Sequence, residues 1–509
     1  MDEKFTTPLP GQPTSLWLAT TPETSYPPFA GELQTEVAVL GGGIVGLLTA
    51  WLLRQAGLEV AIVEAGRILS GVTGHTTAKI TSLHGQIYHY LTTRFGADEA
   101  RLYAEANQAA LARYAQLVEE KGIDCDFRRL PAFTYAESEE EFVAVGQEAE
   151  AARAAGLAAE LVQEADLPFP IRGAVRLPAQ ALFHPRKFLL PLAEELVSSG
   201  GKIFEKTRAL HLRPGHPAQV ETDRGTLRAA HVVLATNFPF FDPTLFAARM
   251  YPKRSYVLAV RIAGQVPQGM YYSSAEPYRS LRPHPLGGEE YLLLGGENHK
   301  TGEGGSTSDR YRRLETFARR HFELQSVDYR WSTQDPVTMD RIPFIGAPVF
   351  RNIHVAAGFG GWGMTQGLIA AQLLTDQIRG IPNRWGELYH PTRLSLKGGS
   401  RFLRENLDAA KHLFKDRLIS PSTVDPDRLA PGEGGVISTG EGKTGVALDR
   451  RGNRHCVAAT CTHLGCIVAW NDAEESWDCP CHGSRFAADG GLLHGPAVRD
   501  LEARTQQPS

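Results

Sequence analysis

No apolar stretch in this chain is long enough to cross a membrane. The longest, Val37 to Leu53, is broken by three consecutive glycines. It falls short of the ~20 apolar residues a spanning helix needs. Neither sign of charge dominates either. Against 53 Lys and Arg stand 57 Asp and Glu, for a net charge of −4 and a pI of about 6.5. That balance gives no electrostatic case for nucleic acid or an anionic membrane. The start, Met1-Asp-Glu-Lys-Phe-Thr-Thr-Pro8, has no basic region, apolar segment or twin arginine. No secretion signal is visible, so a cytoplasmic location without a transmembrane anchor is expected. Internal repeats and low-complexity tracts are missing. So is a His-rich cluster with 2-His-1-carboxylate spacing, which disfavours a mononuclear-iron oxygenase. What remains is ordinary for a globular protein: 42% hydrophobic and 22% charged residues. At 509 residues the chain has material for two to four domains with large cores.

Cysteine is scarce, and its placement is uneven. Four of the six cysteines fall in two short segments, Cys461-Thr-His463-Leu-Gly-Cys466 and Cys479-Pro-Cys481-His482-Gly-Ser484. Fifteen residues lie between His463 and Cys479. A Cys2His2 set can hold zinc, or a 2Fe-2S cluster of the Rieske type with two Cys on one iron and two His on the other. Zinc fingers usually pair like ligands within each short loop. Here each loop is mixed, as needed when two loops clamp a flat cluster from one side. The spacing therefore argues for iron and sulfur.

These loops resemble the Rieske proteins of cytochrome bc complexes, over roughly residues 430–509. The resemblance implies Cys461, His463, Cys479 and His482 as metal ligands and a Cys466–Cys481 disulfide tying the loops together. Such a disulfide would be an exception to the usual rule for a reducing compartment, preserved by shielding beside the cluster. Ser484 matches the position whose hydroxyl bonds a cluster sulfur and raises the potential. Two residues later the high-potential family carries Tyr, whereas this chain has Phe486. One donor is missing. The expected potential lies below that of the respiratory proteins but within the Rieske range of roughly −150 to +300 mV.

The other signature is near the N-terminus. Thr35 to Leu40 reads as a buried strand and Gly41-Gly-Gly43-Ile-Val-Gly46 as a turn. Leu47 to Ala56 reads as a helix stopped by Gly57, and Glu59 to Val63 as a second strand ending at Glu64. This is strand, G-x-G-x-x-G, helix, strand, acid: a dinucleotide fingerprint in its required context. Gly41 allows the tight turn, Gly43 the approach of a pyrophosphate, and Gly46 close packing of helix and strand. Glu64 can accept hydrogen bonds from ribose hydroxyls. The small-residue loop that follows, Gly66 to Lys79, resembles the D-amino-acid-oxidase-like (glycine and sarcosine oxidase) family of FAD enzymes. So do Thr338 to Gly346 and the Gly-rich turn and helix His354 to Gly367. That resemblance spans about residues 35–380. It implies FAD, contacted by Gly41, Gly43, Gly46, Glu64, His75, Thr76, Thr77, Gly361, Gly363 and Met364. In some relatives a His at the distance of His75 carries the flavin covalently; the alternative is a His that lines the cofactor without a bond. No separate NAD(P) domain is expected.

The expected architecture follows. Residues 1–34 form an irregular, proline-rich arm on the surface. Residues 35–380 form an α/β (α+β) Rossmann-like FAD-binding domain with an antiparallel-sheet substrate domain. Its FAD-binding segments are about 35–95, 170–238 and 335–380, and its substrate domain about 96–169 and 239–334. Residues 381–428 form a linker, with a helix over 400–418. Residues 429–509 form a small all-β Rieske sandwich. Helices are expected at 97–122, 138–156, 186–199 and 307–323, the last with a basic face read as solvated, the alternative being a docking patch. Strands are expected at 251–263, 269–274 and 290–296. Arg254, Tyr256, Tyr271, Tyr272, Tyr278, Arg279 and Arg282 cluster in this stretch. By resemblance such a sheet offers Arg or Tyr to a substrate carboxylate, with Tyr256 and Arg282 leading. Cys125 and Cys456 read as packing residues.

The implied activity is an FAD-dependent oxidation of an amine or amino-acid C–N bond, draining single electrons through the 2Fe-2S cluster. The acceptor would be a one-electron protein or a quinone. Two alternatives share the same loops: a reductase running the other way, and an electron-transfer or redox-sensing flavoprotein without turnover.

Overall fold

In a computed structural model, residues 8–393, 424–440 and 442–504 are described. The expected linker helix at 400–418 lies outside them.

The dinucleotide fingerprint builds the first sheet. Val37 to Leu40 are fully buried, as is the whole strand Val60–Val63. The strands of a parallel sheet are buried on both faces, and these pair in parallel: Gly31–Leu40 runs between Gly225–Leu234 and Val60–Val63. Ile353–Ala357 and Lys202–Phe204 extend the parallel core on either side, and Phe344–Gly346 closes one edge antiparallel. The connecting helix, Ile44–Gln55, is apolar on nearly every face and is sandwiched by its neighbours. It starts three residues before the expected Leu47. Gly46 therefore lies in its first turn, where an added Cβ would fall on the Gly41 carbonyl oxygen. We expect Gly46→Ala to abolish FAD retention, because backbone cannot yield as a side chain can. A gel-filtered variant should carry no flavin absorbance.

The second sheet is mainly antiparallel. Its order is Leu324–Thr338, Met250–Ile262, Glu289–Lys300, Arg279–Leu286, Met270–Ser273, Arg128–Ala136, Gly173–Leu182, Lys79–Ile80. Gly173–Leu182 falls inside the stretch assigned above to FAD binding, yet it pairs here with Arg128–Ala136. The expected helices are present as Ala97–Lys121, Glu139–Ala154, Pro185–Ser198 and Thr307–His321. The first ends on Gly122 in the left-handed conformation. The second starts on Ser138, whose side chain accepts from the Glu141 N–H.

Two expectations fail on burial. The arm lies on the surface only in part: Gln12, Pro13, Glu23 and Pro28 are exposed, but Leu16 and Trp17 are fully buried. The Trp17 indole donates to the Thr76 carbonyl at 2.6 Å, and Ser15 bonds the Gly74 carbonyl. A tryptophan carries too much apolar area to leave in water when a slot is available. The basic face of Thr307–His321 is only partly solvated. Arg310 is buried on the Glu297 and Gly304 carbonyls, and Arg313 pairs with Glu297 at 2.5 Å.

The C-terminal domain has two small antiparallel sheets. One is Gly434–Thr439, Gly442–Leu448 and Arg454–Ala458; the other is Ala469–Asn471, Ser476–Asp478, Arg485–Ala487 and Leu492–His494. Among the described residues, no helix is long and apolar enough to cross a membrane.

Candidate functional site

A cavity of about 540 Å³ runs along the carboxyl end of the parallel sheet, within the size usual for small-molecule sites. Gly41, Gly43, Ile44 and Glu64 line one end, beside Thr207 and Arg208. Glu64 accepts from the Gly42 N–H at 2.7 Å and the Gly66 N–H at 2.8 Å. Burial raises its pKa, and those two N–H groups oppose the rise. Thr76 and Thr77 line the cavity, as do Gly361, Gly363 and Met364 at the first turn of the helix Gly363–Ile378. An elongated cradle between two helix N-termini, with an acid at one end, fits FAD.

Gly46 lies beneath this lining, as its packing role requires. His75 is not among the lining residues. Its Nδ1 sits 2.8 Å from the Gly71 carbonyl, and its own carbonyl takes the Trp331 indole N–H at 2.8 Å. The ring is held by its own loop rather than aimed at the cofactor space.

The two leading substrate candidates also miss the cavity. The Tyr256 hydroxyl pairs with His299 Nε2 at 2.9 Å. Arg282 is fully buried and donates to the Thr77 and Ala78 carbonyls at 2.9 and 3.0 Å. It braces the cofactor loop instead of meeting a ligand. Of the seven Arg and Tyr residues in that stretch, Tyr272 and Tyr278 line the cavity, stacked at 4.5 Å. Trp362 stands 5.4 Å from Tyr272.

Two titratable groups beside them escaped the sequence reading. Lys79 lines the cavity and bonds the hydroxyls of Thr77 and Ser280. Burial, helped by the Arg282 charge, lowers its pKa to about 7. Asp335 lines the same cavity, directly across from Lys253 on the neighbouring strand. Burial raises its pKa to about 6, against the pull of Lys253. Perturbed groups of this kind gather at reactive sites. Lys79 was visible only as the last residue of the small-residue loop.

The four metal-ligand candidates converge at the tip of the C-terminal domain. Cys461 and Cys479 are buried free thiols. The His463 and His482 rings stand 5.0 Å apart at 90°. His463 Nδ1 is buried without a hydrogen-bond partner among the described residues, as a ligand nitrogen should be without its metal. Cys466 and Cys481 form a disulfide, with the Cys479 sulfur within 4.8 Å of both. Two thiols, two imidazoles and a covalent tie between the loops fit a 2Fe-2S cluster. The buried Ser484 hydroxyl accepts from the Ala497 N–H at 3.0 Å, leaving its own hydrogen for the Cys461 sulfur. Phe486 is fully buried. We expect Ser484→Ala to lower the cluster potential by roughly 60–130 mV. That corresponds to one hydrogen bond to a charged group, about 1.5–3 kcal/mol, in a one-electron couple. A redox titration followed by EPR reads it.

The two domains meet across a buried polar interface. Asp472 caps the helix Thr307–His321, taking the Thr307 N–H at 2.7 Å and the Ser306 hydroxyl at 2.8 Å. Arg254 faces Glu474 and Asp478 at 3.4 Å each, and Arg485 pairs with the same two acids. Gln334 donates to the Gly483 carbonyl at 2.7 Å. The segment Leu492–Val498 lines the FAD-shaped cavity itself. Nothing in the sequence announced this docking.

Residues 36–377 match the family described as FAD dependent oxidoreductase (DAO), and residues 423–505 match the Rieske 2Fe-2S domain. YhfW of Bacillus subtilis (strain 168), named as a Rieske 2Fe-2S iron-sulfur protein, is 39% identical over 96% of this chain and 97% of its own. Gamma-glutamylputrescine oxidoreductase of Escherichia coli (strain K12) is 24% identical over 75% of this chain and 93% of its own. Glycine oxidase from Geobacillus kaustophilus superposes with a TM-score of 0.58 at 21% identity, covering 69% of this chain and 96% of that one. The chain belongs to the FAD dependent oxidoreductase family and carries a C-terminal Rieske 2Fe-2S domain.

Proposed function

We propose that the protein oxidises the C–N bond of an amine or amino acid in its FAD cavity and passes the electrons singly to an external acceptor, a one-electron protein or a quinone. One observation carries this reading: the cavity that holds the dinucleotide fingerprint is also walled by the Rieske domain. The relatives named for glycine and gamma-glutamylputrescine support the substrate class. Bound FAD would take two electrons as a hydride equivalent, and the cluster would hand them on one at a time.

The chain's own residues supply the rest. Asp335, ionised above its pKa of about 6, holds the substrate ammonium against Tyr272, Tyr278 and Trp362. Lys79 Nζ, neutral above about pH 7, takes the proton from that ammonium. The freed nitrogen lone pair forms the C=N bond as the C–H hydrogen departs with its electron pair. Water then hydrolyses the iminium to a carbonyl compound and an amine or ammonia. The stacked aromatics and the Leu492–Val498 segment limit the entry of bulk water until then.

The test is an anaerobic panel of amines and amino acids against the holoprotein. An active compound should bleach the flavin and yield its carbonyl product. If no C–N compound bleaches it while a chemical reductant does, the reading fails.

A further inference from the structure

The two cluster histidines differ in setting. His482 is 1% exposed. Its ring packs edge-on against Phe238 at 5.5 Å and 63°, and Phe238 lines the FAD cavity. His463 is only half-buried, and its neighbour Leu464 is 42% exposed. One imidazole thus faces the flavin domain and the other faces outward.

A second, bonded link starts at the same turn. The Asn237 side chain lines the cavity and donates to the Gln334 carbonyl at 3.3 Å. The Gln334 side chain donates to the Gly483 carbonyl, next to His482, at 2.7 Å. Its orientation is fixed, because Gln334 Oε1 already accepts from Arg254 at 3.1 Å and Thr301 at 3.0 Å. Gly483 is needed there. It has φ +80°, and an added Cβ would strike Gln334 and Pro252.

We propose that the Asn237–Phe238 turn and Gln334 form the electron-transfer contact between the FAD cavity and the cluster, and that this contact delivers electrons through His482 rather than His463. The inference rests on the function proposed above. Electron tunnelling weakens faster across empty space than through packed or hydrogen-bonded atoms. Phe238 is not oxidised or reduced; it fills the gap. Gln334 supplies a bonded path in parallel. Each passage moves one electron and changes no bond, so two passages follow each C–N oxidation. The external one-electron acceptor takes each electron in turn, from the His463 side.

The experiment uses the full holoprotein without substrate. The flavin is photoreduced anaerobically with EDTA as sacrificial donor. Flavin absorbance and the reduced-cluster EPR signal are followed together, and the lag between them is the readout. We expect Phe238→Leu to lengthen that lag at least about tenfold, the rate equivalent of a roughly 1.4 kcal/mol barrier. Phe238→Trp should restore it to near the wild-type value, and Gln334→Leu should lengthen it several-fold. The cluster potential should stay at the wild-type value in all three variants, which a purely structural lesion would not ensure. An unchanged lag in Phe238→Leu would overturn the assignment while leaving the proposed function standing. A wild-type cluster that stays oxidised beside reduced flavin would bring down both.

Discussion

Lys79→Met should slow reduction of the flavin by substrate about 100-fold or more, the usual contribution of a positioned base. The expectation rests on place and proton affinity together. Lys79 lines the cavity, is bonded to two hydroxyls, and has its pKa lowered to about 7 by burial and then by Arg282. The base form is the neutral amine. The wild-type rate should therefore rise with pH through about 7, and this limb should vanish in Lys79→Met. Anaerobic stopped-flow traces across pH 6–9 measure both effects. A variant that keeps the limb would assign the proton to another group. Asp335 is the first to test, since its pKa of about 6 lies on the acid side of the same range.

Arg254→Met should cost about 3–5 kcal/mol, the penalty for leaving a buried charge without its partner. The Arg254 side chain is 2% exposed and Asp478 is 4% exposed. In the variant Glu474 and Asp478 would share Arg485 alone. Because the network joins the domains, the loss should appear as undocking: the Rieske domain melts before the flavin domain. Adding Glu474→Gln restores charge balance and should recover part of the loss. A change below about 1 kcal/mol would mean that water reaches the site and solvates the acids. Acid offers a second probe. Burial works against the ionised form of both carboxylates, but Arg485 and Arg254 outweigh it and hold their pKa values below the usual range. Groups with depressed folded pKa values stabilise above their unfolded values, about 4. The docked state should therefore keep this contribution at neutral pH and lose it as pH falls below about 4. Thermal melts between pH 3 and 7 would show it.

The parts legible in the sequence were those encoded within a few residues. The fingerprint Gly41 to Glu64 and the loops around Cys461 and Cys479 carry their geometry in their spacing. The pairing of Cys466 with Cys481 came with the resemblance and is present in the structure. Strand side chains were harder. Along Met250–Ile262, Lys253, Ser255 and Val257 line the cavity. Arg254 and Tyr256 alternate with them and face the other side, toward Glu474 and Tyr311. Leu324–Thr338 repeats the pattern: Thr333 and Asp335 face the cavity, and Gln334 faces the cluster loop. Successive side chains in a strand must alternate. Polarity reveals which set faces the site only when one face is solvated, and here both faces are covered. That Ser255 and not Tyr256 faces the cavity is therefore a matter of register that the sequence does not reveal. Trp17 and Asp472 have a related cause. Each finds its partner far along the chain, in Thr76 and in the cap of Thr307–His321. No local pattern marks such a meeting.

The most direct test of the central claim is a rapid-mixing experiment under anaerobic conditions. The holoprotein is mixed with an amine that bleaches its flavin, and samples are frozen at intervals for EPR. The reduced-cluster signal should grow after the flavin bleaches and within the turnover time. Flavin that is bleached by the amine beside a cluster that stays oxidised throughout turnover would contradict it.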